Sequence, residues 1–403
     1  MAGRYRSGVF IALMAFVIGL GVMDAQPASA KGSAAPSVSF ARLDFTAGTS
    51  SGVTATTTSL TLSGTATGTW TSATQSVLFA FDELVASWNA TTPGGSWIAI
   101  EMAASGSGRT TKSYTMGIWT SDATPAHRTS VGGQADADGT VAIDTFIRAK
   151  KALPLTSYKI TVTLHAGTAS PNVSLVGAMT SAVNRYDIPS APYGSTLRDS
   201  LGVPRYSQEI HAGHFPEYDN GGEAWCSPTS TAMILDKWGA GPSAAELAEF
   251  PATGEVDGQV DFTARAVYDW NYQGAGNWPF NTAYAGSREG ITAFVTRLRS
   301  LAEAEMFIEA GIPLVASING RLPGFFFGKT NGHLLTIVGF TASGDVISND
   351  PAVPTDAEVH KTYGRADFEH VWLEGSAGIV YVIYDDSKVD LPAPLDPALP
   401  ANW

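Results

Sequence analysis
From residue 31 to about residue 185 the chain alternates apolar and polar positions in short runs. Ser59-Leu60-Thr61-Leu62-Ser63 shows the period of two plainly. Val77–Phe81, Ser96–Ile100, Tyr114–Trp119, Val141–Ile143 and Tyr158–Leu164 read as further strands. Successive side chains of a strand point to opposite faces, so each run can give one face to a core. Turn-forming clusters separate them: Thr92-Pro93-Gly94-Gly95, Ala104 to Arg109, and Asp136-Ala137-Asp138-Gly139. Many short strands punctuated in this way predict an all-β sandwich, jelly-roll-like, over residues 31–185. Trp70, Trp88, Trp97 and Trp119 could form a sugar-stacking platform there, but core packing is the better account of most of them.

The pattern changes after a stretch rich in Pro and Ser, Ile188 to Ser195, which predicts a linker over 186–202. Helical spacing then appears at about 228–238, 243–249, 259–271 and 287–310. Ser243 with Glu246 has the spacing of a capping box. The helix from Pro228 has proline in its first turn and ends near Gly239, as helix ends prefer. Strands come late, at Pro313–Ile318, Leu334–Phe340, Val346–Ser348 and Gly378–Tyr384. Helices first and antiparallel strands last predict an α+β domain over 203–386. The tail 387–403, with Pro392, Pro397 and Pro400, is expected to be poorly ordered.

A chain of 403 residues with 44% hydrophobic content can fill two cores. Its formal net charge of −13 argues against nucleic acid, because phosphate binding needs a basic face. Residues 1–30 read as a secretory leader. Arg4 and Arg6 precede the apolar run Val9 to Val22, and Ala28-Ser29-Ala30 offers small residues for cleavage after Ala30. A secreted protein follows, without a membrane span once the leader is removed.

Cys226 is the one cysteine of this chain, in Trp225-Cys226-Ser227-Pro228-Thr229-Ser230 at a predicted helix start. Exported proteins usually pair their cysteines. A lone thiol at a helix N-terminus, where the dipole and unpaired N–H groups favour a thiolate, is a candidate nucleophile. Such a nucleophile needs a base, a group that orients the base, and donors for an oxyanion. His333 heads the apolar strand Leu334–Phe340, and Asp350 ends the next strand in Asn349-Asp350-Pro351. Adjacent antiparallel strands would put the two side by side. Gln208 offers an amide upstream, in Val203-Pro204-Arg205-Tyr206-Ser207-Gln208.

In this order Gln208, Cys226, His333 and Asp350 resemble the papain-like cysteine peptidases. The nearest likeness is to the peptidase C thirty-nine-like group, related to the double-glycine leader peptidases of bacteriocin exporters. The motifs are Val-Pro-x-Tyr-Ser-Gln, Trp-Cys-Ser-Pro-Thr-Ser, Gly-His-Leu-Leu-Thr-Ile-Val-Gly-Phe and Asn-Asp-Pro, spread over 203–384. The resemblance implies a papain-like α+β domain with Cys226 as nucleophile, His333 as base, Asp350 as its orienter and Gln208 as oxyanion donor. Asn220 stands nearer to Cys226 than Gln208 does and is the other candidate donor. Many relatives have glycine where this chain has Ser227.

The implied reaction is hydrolysis of peptide bonds through a thioester, with a peptide as partner and no cofactor. A cell-wall amidase or endopeptidase would use the same triad on peptidoglycan stems. A non-catalytic surface-binding protein, with a glycan contact through the sandwich, is the reading outside enzymology. His211 and His214, with Glu217 and Asp219 nearby, have the residue types of a metal site. No full ligand set is evident in that loop, so no metal is expected there. His211, His214 and Trp225 are instead candidates to line the substrate cleft.

Overall fold
The computed structural model describes residues 37–122, 126–182, 190–193, 201–249 and 256–403. The expected leader and most of the expected linker fall outside these residues. The first half is all β. Its strands are β1 (Ser37–Arg42), β2 (Thr49–Ser51), β3 (Val53–Ala55), β4 (Leu60–Leu62), β5 (Thr67–Thr71), β6 (Gln75–Phe81) and β7 (Glu83–Thr91). There follow β8 (Trp97–Gly106), β9 (Arg109–Thr110), β10 (Tyr114–Trp119), β11 (Gly139–Ala142), β12 (Thr145–Arg148), β13 (Leu155–His165) and β14 (Asn172–Ala182).

They form two antiparallel sheets. One has the order β11-β12-β7-β14-β4-β3, with β1 also on β14; the other has β10-β8-β13-β5-β2, with β6 on β13 and β9 on β8. Long strands alternate between the sheets, β7 to β8 and β13 to β14. Trp70, Trp88 and Trp119 are fully buried, in line with core packing. Trp97 is half-buried and stacks on His165 with ring centroids 3.6 Å apart. Sequence alternation finds β4, β6, β8, β10, β11 and β13 and misses, among others, β7 and β14. Those two lie at the centre of their sheet and are buried on both faces over most of their length, so no period of two survives.

The second half contains α1 (Cys226–Trp238), α2 (Ala244–Glu249), α3 (Gly258–Val267), α4 (Trp278–Gly286), β15 (Ile291–Arg297), α5 (Leu301–Glu309) and β16 (Leu314–Arg321). It closes with β17 (Lys329–Phe340), β18 (Val346–Asn349), β19 (His360–Tyr363), α6 (Arg365–Glu369) and β20 (Ile379–Asp385). One six-stranded sheet runs β15-β20-β16-β17-β18-β19, antiparallel throughout. The helix expected over 287–310 is corrected: residues 291–297 are a strand, and the helix starts only at Leu301. The β-branched and aromatic side chains of Ile291-Thr292-Ala293-Phe294-Val295 favour a strand, and burial on both faces removes the alternation that would mark it. Ser300 then caps α5 by accepting from Glu303 N. α4, with Pro279 in its first turn, and α6 have no counterpart in the sequence expectation.

α1 lies inside the core. Ala232, Met233, Ile234 and Leu235 are fully buried, each large one worth about 1.5–3 kcal/mol of transfer free energy. Three of its buried hydroxyls have partners: Ser227 with Tyr381, Ser230 with Leu334 O, Thr231 with Asn281. Gly239 closes the helix in the left-handed region at φ 73°, where a side chain would be strained.

The two halves share buried surface. Phe280 of α4 sits against Trp88 (6.0 Å) and Trp119 (5.7 Å) of the sandwich. A side chain at Gly117 would put its Cβ 2.9 Å from Trp88 and 3.1 Å from Phe280, so the joint requires glycine there. β15 is an edge strand, and its outward backbone groups at alternate residues are met by side chains. Asn89 donates to Ala293 O at 2.7 Å and accepts from Ala293 N at 3.0 Å; Ser87 accepts from Val295 N at 2.9 Å. Asn402 donates to Arg297 O at 2.9 Å.

The expectation of a loose tail is therefore corrected. Asn402 is 1% exposed and also donates to Glu303, while Phe40 N of β1 donates to Ala401 O at 2.9 Å. Proline prevents helix here but not docking. Among the described residues no helix is long and apolar enough to cross a membrane. Asn89→Ala would leave the amide and carbonyl of Ala293 buried and unpaired. At about 1–3 kcal/mol per group, the expected result is a clear fall in unfolding free energy, measured by urea titration; an unchanged midpoint would show that the edge is satisfied otherwise.

Candidate active site
α1 begins at Cys226 itself, two residues earlier than its sequence pattern indicates. Trp225 precedes it at φ −97°, ψ 29° and caps the helix without a side-chain bond. Cys226 is half-buried and unpaired. The helix runs against β17, which carries His333 near its start, where the strand passes from exposed to buried residues. β17 pairs with β18 in the register Thr336 to Asn349, so the residue after β18 falls beside the head of β17. His333 Nε2 lies 2.8 Å from Asp350 Oδ1. The Cys226 sulfur is close enough to act on the same ring, whose Nδ1 is the nitrogen not engaged by Asp350. Three residues far apart in sequence thus meet in one chain of polar contacts.

His333 and Asp350 are 4% and 0% exposed, so each would be costly to charge alone. Burial works against the imidazolium, but the Asp350 carboxylate and then the Cys226 sulfur outweigh it and hold His333 well above its usual value. Burial likewise works against the Asp350 carboxylate. His333, the Tyr363 hydroxyl and Ala352 N–H overcome it and hold the acid below its usual value. Tyr363 donates to Asp350 Oδ2 at 2.6 Å, and Ala352 N to Oδ1 at 3.0 Å. Tyr363 is a site residue that the sequence does not reveal. It lies on β19, a four-residue strand without alternation, and nothing local marks it. Phe325 packs against His333, 5.1 Å between ring centres.

Gln208 is 3% exposed and starts a short 3-10 turn, Glu209–His211. Its N–H donates to Pro351 O at 3.0 Å, which ties it to the residue after Asp350. Its amide donates to Glu223 O at 2.8 Å, and burial raises the neighbouring Glu209 carboxyl. Asn220 is exposed on a turn at φ 63°.

Two of the residues expected to line the cleft are placed elsewhere. His211 and Trp225 are both 0% exposed, and Trp225 donates to Tyr218 O at 2.7 Å. Both are core side chains. His214 keeps 19% of its side chain exposed. Both histidines point a ring nitrogen at one carboxylate, that of Asp261 on α3: His211 Nδ1 to Oδ2 at 3.2 Å, His214 Nδ1 to Oδ1 at 3.1 Å. Asp261 lies fifty residues downstream of His211 in the chain, beyond the reach of any local motif.

The charge effect is testable by itself. Asp350→Asn keeps an acceptor for Nε2 and removes the negative charge. The His333 titration, followed by NMR of its ring protons, should move down toward or below the ordinary value of about 6.5, because burial then dominates. An unmoved titration would show that the carboxylate is not felt.

Residues 27–181 match the family model described as the Peptidase C39 N-terminal domain, and residues 200–378 match the Peptidase_C39 like family. No curated protein matches the chain. Among solved structures, one from Bacillus anthracis described as a C39-like peptidase is 19% identical and covers 45% of this chain and 94% of its own, with a TM-score of 0.29. The infectious bursal disease virus Gt strain structure is 15% identical over 41% of this chain and 39% of its own, TM-score 0.23. TmCBM61 in complex with beta-1,4-galactotriose is 15% identical over 36% and 88%, TM-score 0.18. TM-scores this low carry nothing about activity. The two family models bear out the resemblance of this chain to the peptidase C39-like group.

Proposed function
We propose that this chain is a secreted, papain-like cysteine peptidase, with a sandwich domain over 31–185 and a catalytic domain over 203–386. The observation that carries the reading is the polar chain from Cys226 through His333 to Asp350, built from a helix start and two neighbouring strands. Export rests on the leader pattern of residues 1–30.

In this mechanism the Cys226 thiol gives its proton to His333 Nδ1, and the thiolate attacks the scissile carbonyl carbon. The C=O electrons move to oxygen. That oxyanion accepts from the Cys226 backbone N–H at the helix start and from the second N–H of Gln208 Nε2, the first being held by Glu223 O. The C–N bond then breaks, and His333 returns the proton to the leaving amine. Water attacks the thioester with His333 as base. The acid product leaves and the thiol is restored. Asp350 holds the ring in place with Nε2 engaged, and Tyr363 and Ala352 hold Asp350.

Protein recovered from culture medium is expected to begin at Lys31 and to cleave a peptide library. Cys226→Ala should lose at least about 10³-fold in kcat/KM, close to complete loss of nucleophilic catalysis, with the folded signal intact. Full activity in that variant on a confirmed substrate would rule out the mechanism, and an N-terminus before the apolar run would rule out cleavage after Ala30.

A further inference from the structure
We propose that His211, His214 and Asp261 form a binding site for one divalent transition-metal ion of the zinc type, which fastens the loop ahead of Cys226 to α3. One ligand atom from each of the three lies within 4.8 Å of the others. The two nitrogen–oxygen separations are 3.2 and 3.1 Å. Zinc bonds of about 2.0–2.2 Å in a tetrahedron put neighbouring ligand atoms about 3.3 Å apart, so the cluster, whose ligand atoms lie within 4.8 Å of one another, would draw in around the ion on binding. The rings stand at 90° to each other, and their nitrogens reach the two oxygens of the carboxylate separately.

Burial adds to the case. His211 is 0% and Asp261 2% exposed, and Nε2 of His211 is buried with no hydrogen-bond partner. The ring's polar engagement is therefore confined to this cluster. His214, partly exposed, gives the ion a way in and leaves a fourth position for water. Two imidazoles and one carboxylate suit a borderline ion such as zinc better than calcium or magnesium, which take mainly oxygen.

The location gives the ion a positioning role. Residues 212–225 hold only a 3-10 turn as regular structure, and Phe215, Asp219 and Asn220 have positive φ. Such a segment persists only when its surroundings fix it. Trp225, the residue before Cys226, packs on His211 with ring centres 6.3 Å apart. A metal at the cluster would thus steady the chain entering α1 without touching the reacting atoms.

The test uses the full secreted chain, stripped with a chelator, then titrated with zinc against a chromophoric competitor and separately with cobalt(II). One equivalent is expected to bind and to raise the thermal midpoint. Binding should persist in Cys226→Ser, which excludes the thiol as ligand, and be lost in His214→Ala and Asp261→Asn. In Cys226→Ser, cobalt should also shift or broaden the ring signals of His211 and His214, a readout that does not depend on the ligand variants folding. Absence of binding to the folded protein, loss of binding in Cys226→Ser, or undisturbed His211 and His214 signals would each overturn the proposal and leave the cluster a hydrogen-bonded clamp.

Discussion

A carboxylate with no access to water organises the candidate site. Asp350 is 0% exposed, and an isolated charge there would cost several kcal/mol. Three donors from three segments offset that cost: His333 of β17, Tyr363 of β19 and the Ala352 N–H of the turn that follows β18. The end of the sheet is therefore fixed by what Asp350 demands. The His333 ring inherits its orientation from this arrangement, and with it the direction from which it meets Cys226. Gln208 is tied to the same turn through Pro351 O. A perturbation anywhere in this small set reaches the sulfur by way of the ring.

The legibility of the chain followed exposure. Strands with one wet face, such as β8, β10 and β13, kept their alternation and were readable. β7, β14 and β15 were not, because burial on both faces erased the polar half of the pattern. Cys226, His333 and Asp350 could be picked out because they stand at ends of elements, where a strand or helix begins or stops and motifs are short. Tyr363 and Asp261 could not. Each contributes by meeting a residue far away in the chain, and neither has a local context that says so. The tail was misjudged for a related reason: its prolines exclude regular structure, while the buried partners of Asn402 are visible only in three dimensions.

The loop from Glu209 to Trp225 joins these themes. It has little regular structure, yet it carries Gln208 and Trp225 at its two ends and His211 inside. Trp225 packs in the core, and polar contacts to Glu223 O, to Tyr218 O and to Asp261 fix the direction of Gln208, Trp225 and His211. Hydrogen bonds to fixed backbone oxygens place a group more sharply than apolar packing does, which suits a segment leading directly into a reactive side chain.

The meeting of Asn89 and Ser87 with the rim of β15 has a further meaning for how this molecule could have been assembled and how it could be taken apart. Side chains of one half act as a stand-in for a missing seventh strand of the other. Severed from its neighbour, the second half would bare a row of thirsty amides and the Phe280 ring that two indoles of the sandwich had covered. Such an edge recruits whatever strand is nearest, including one from an identical molecule. The sandwich is in this sense a chaperone that never leaves, and any shortened form of the protein would need a substitute for it to stay in solution.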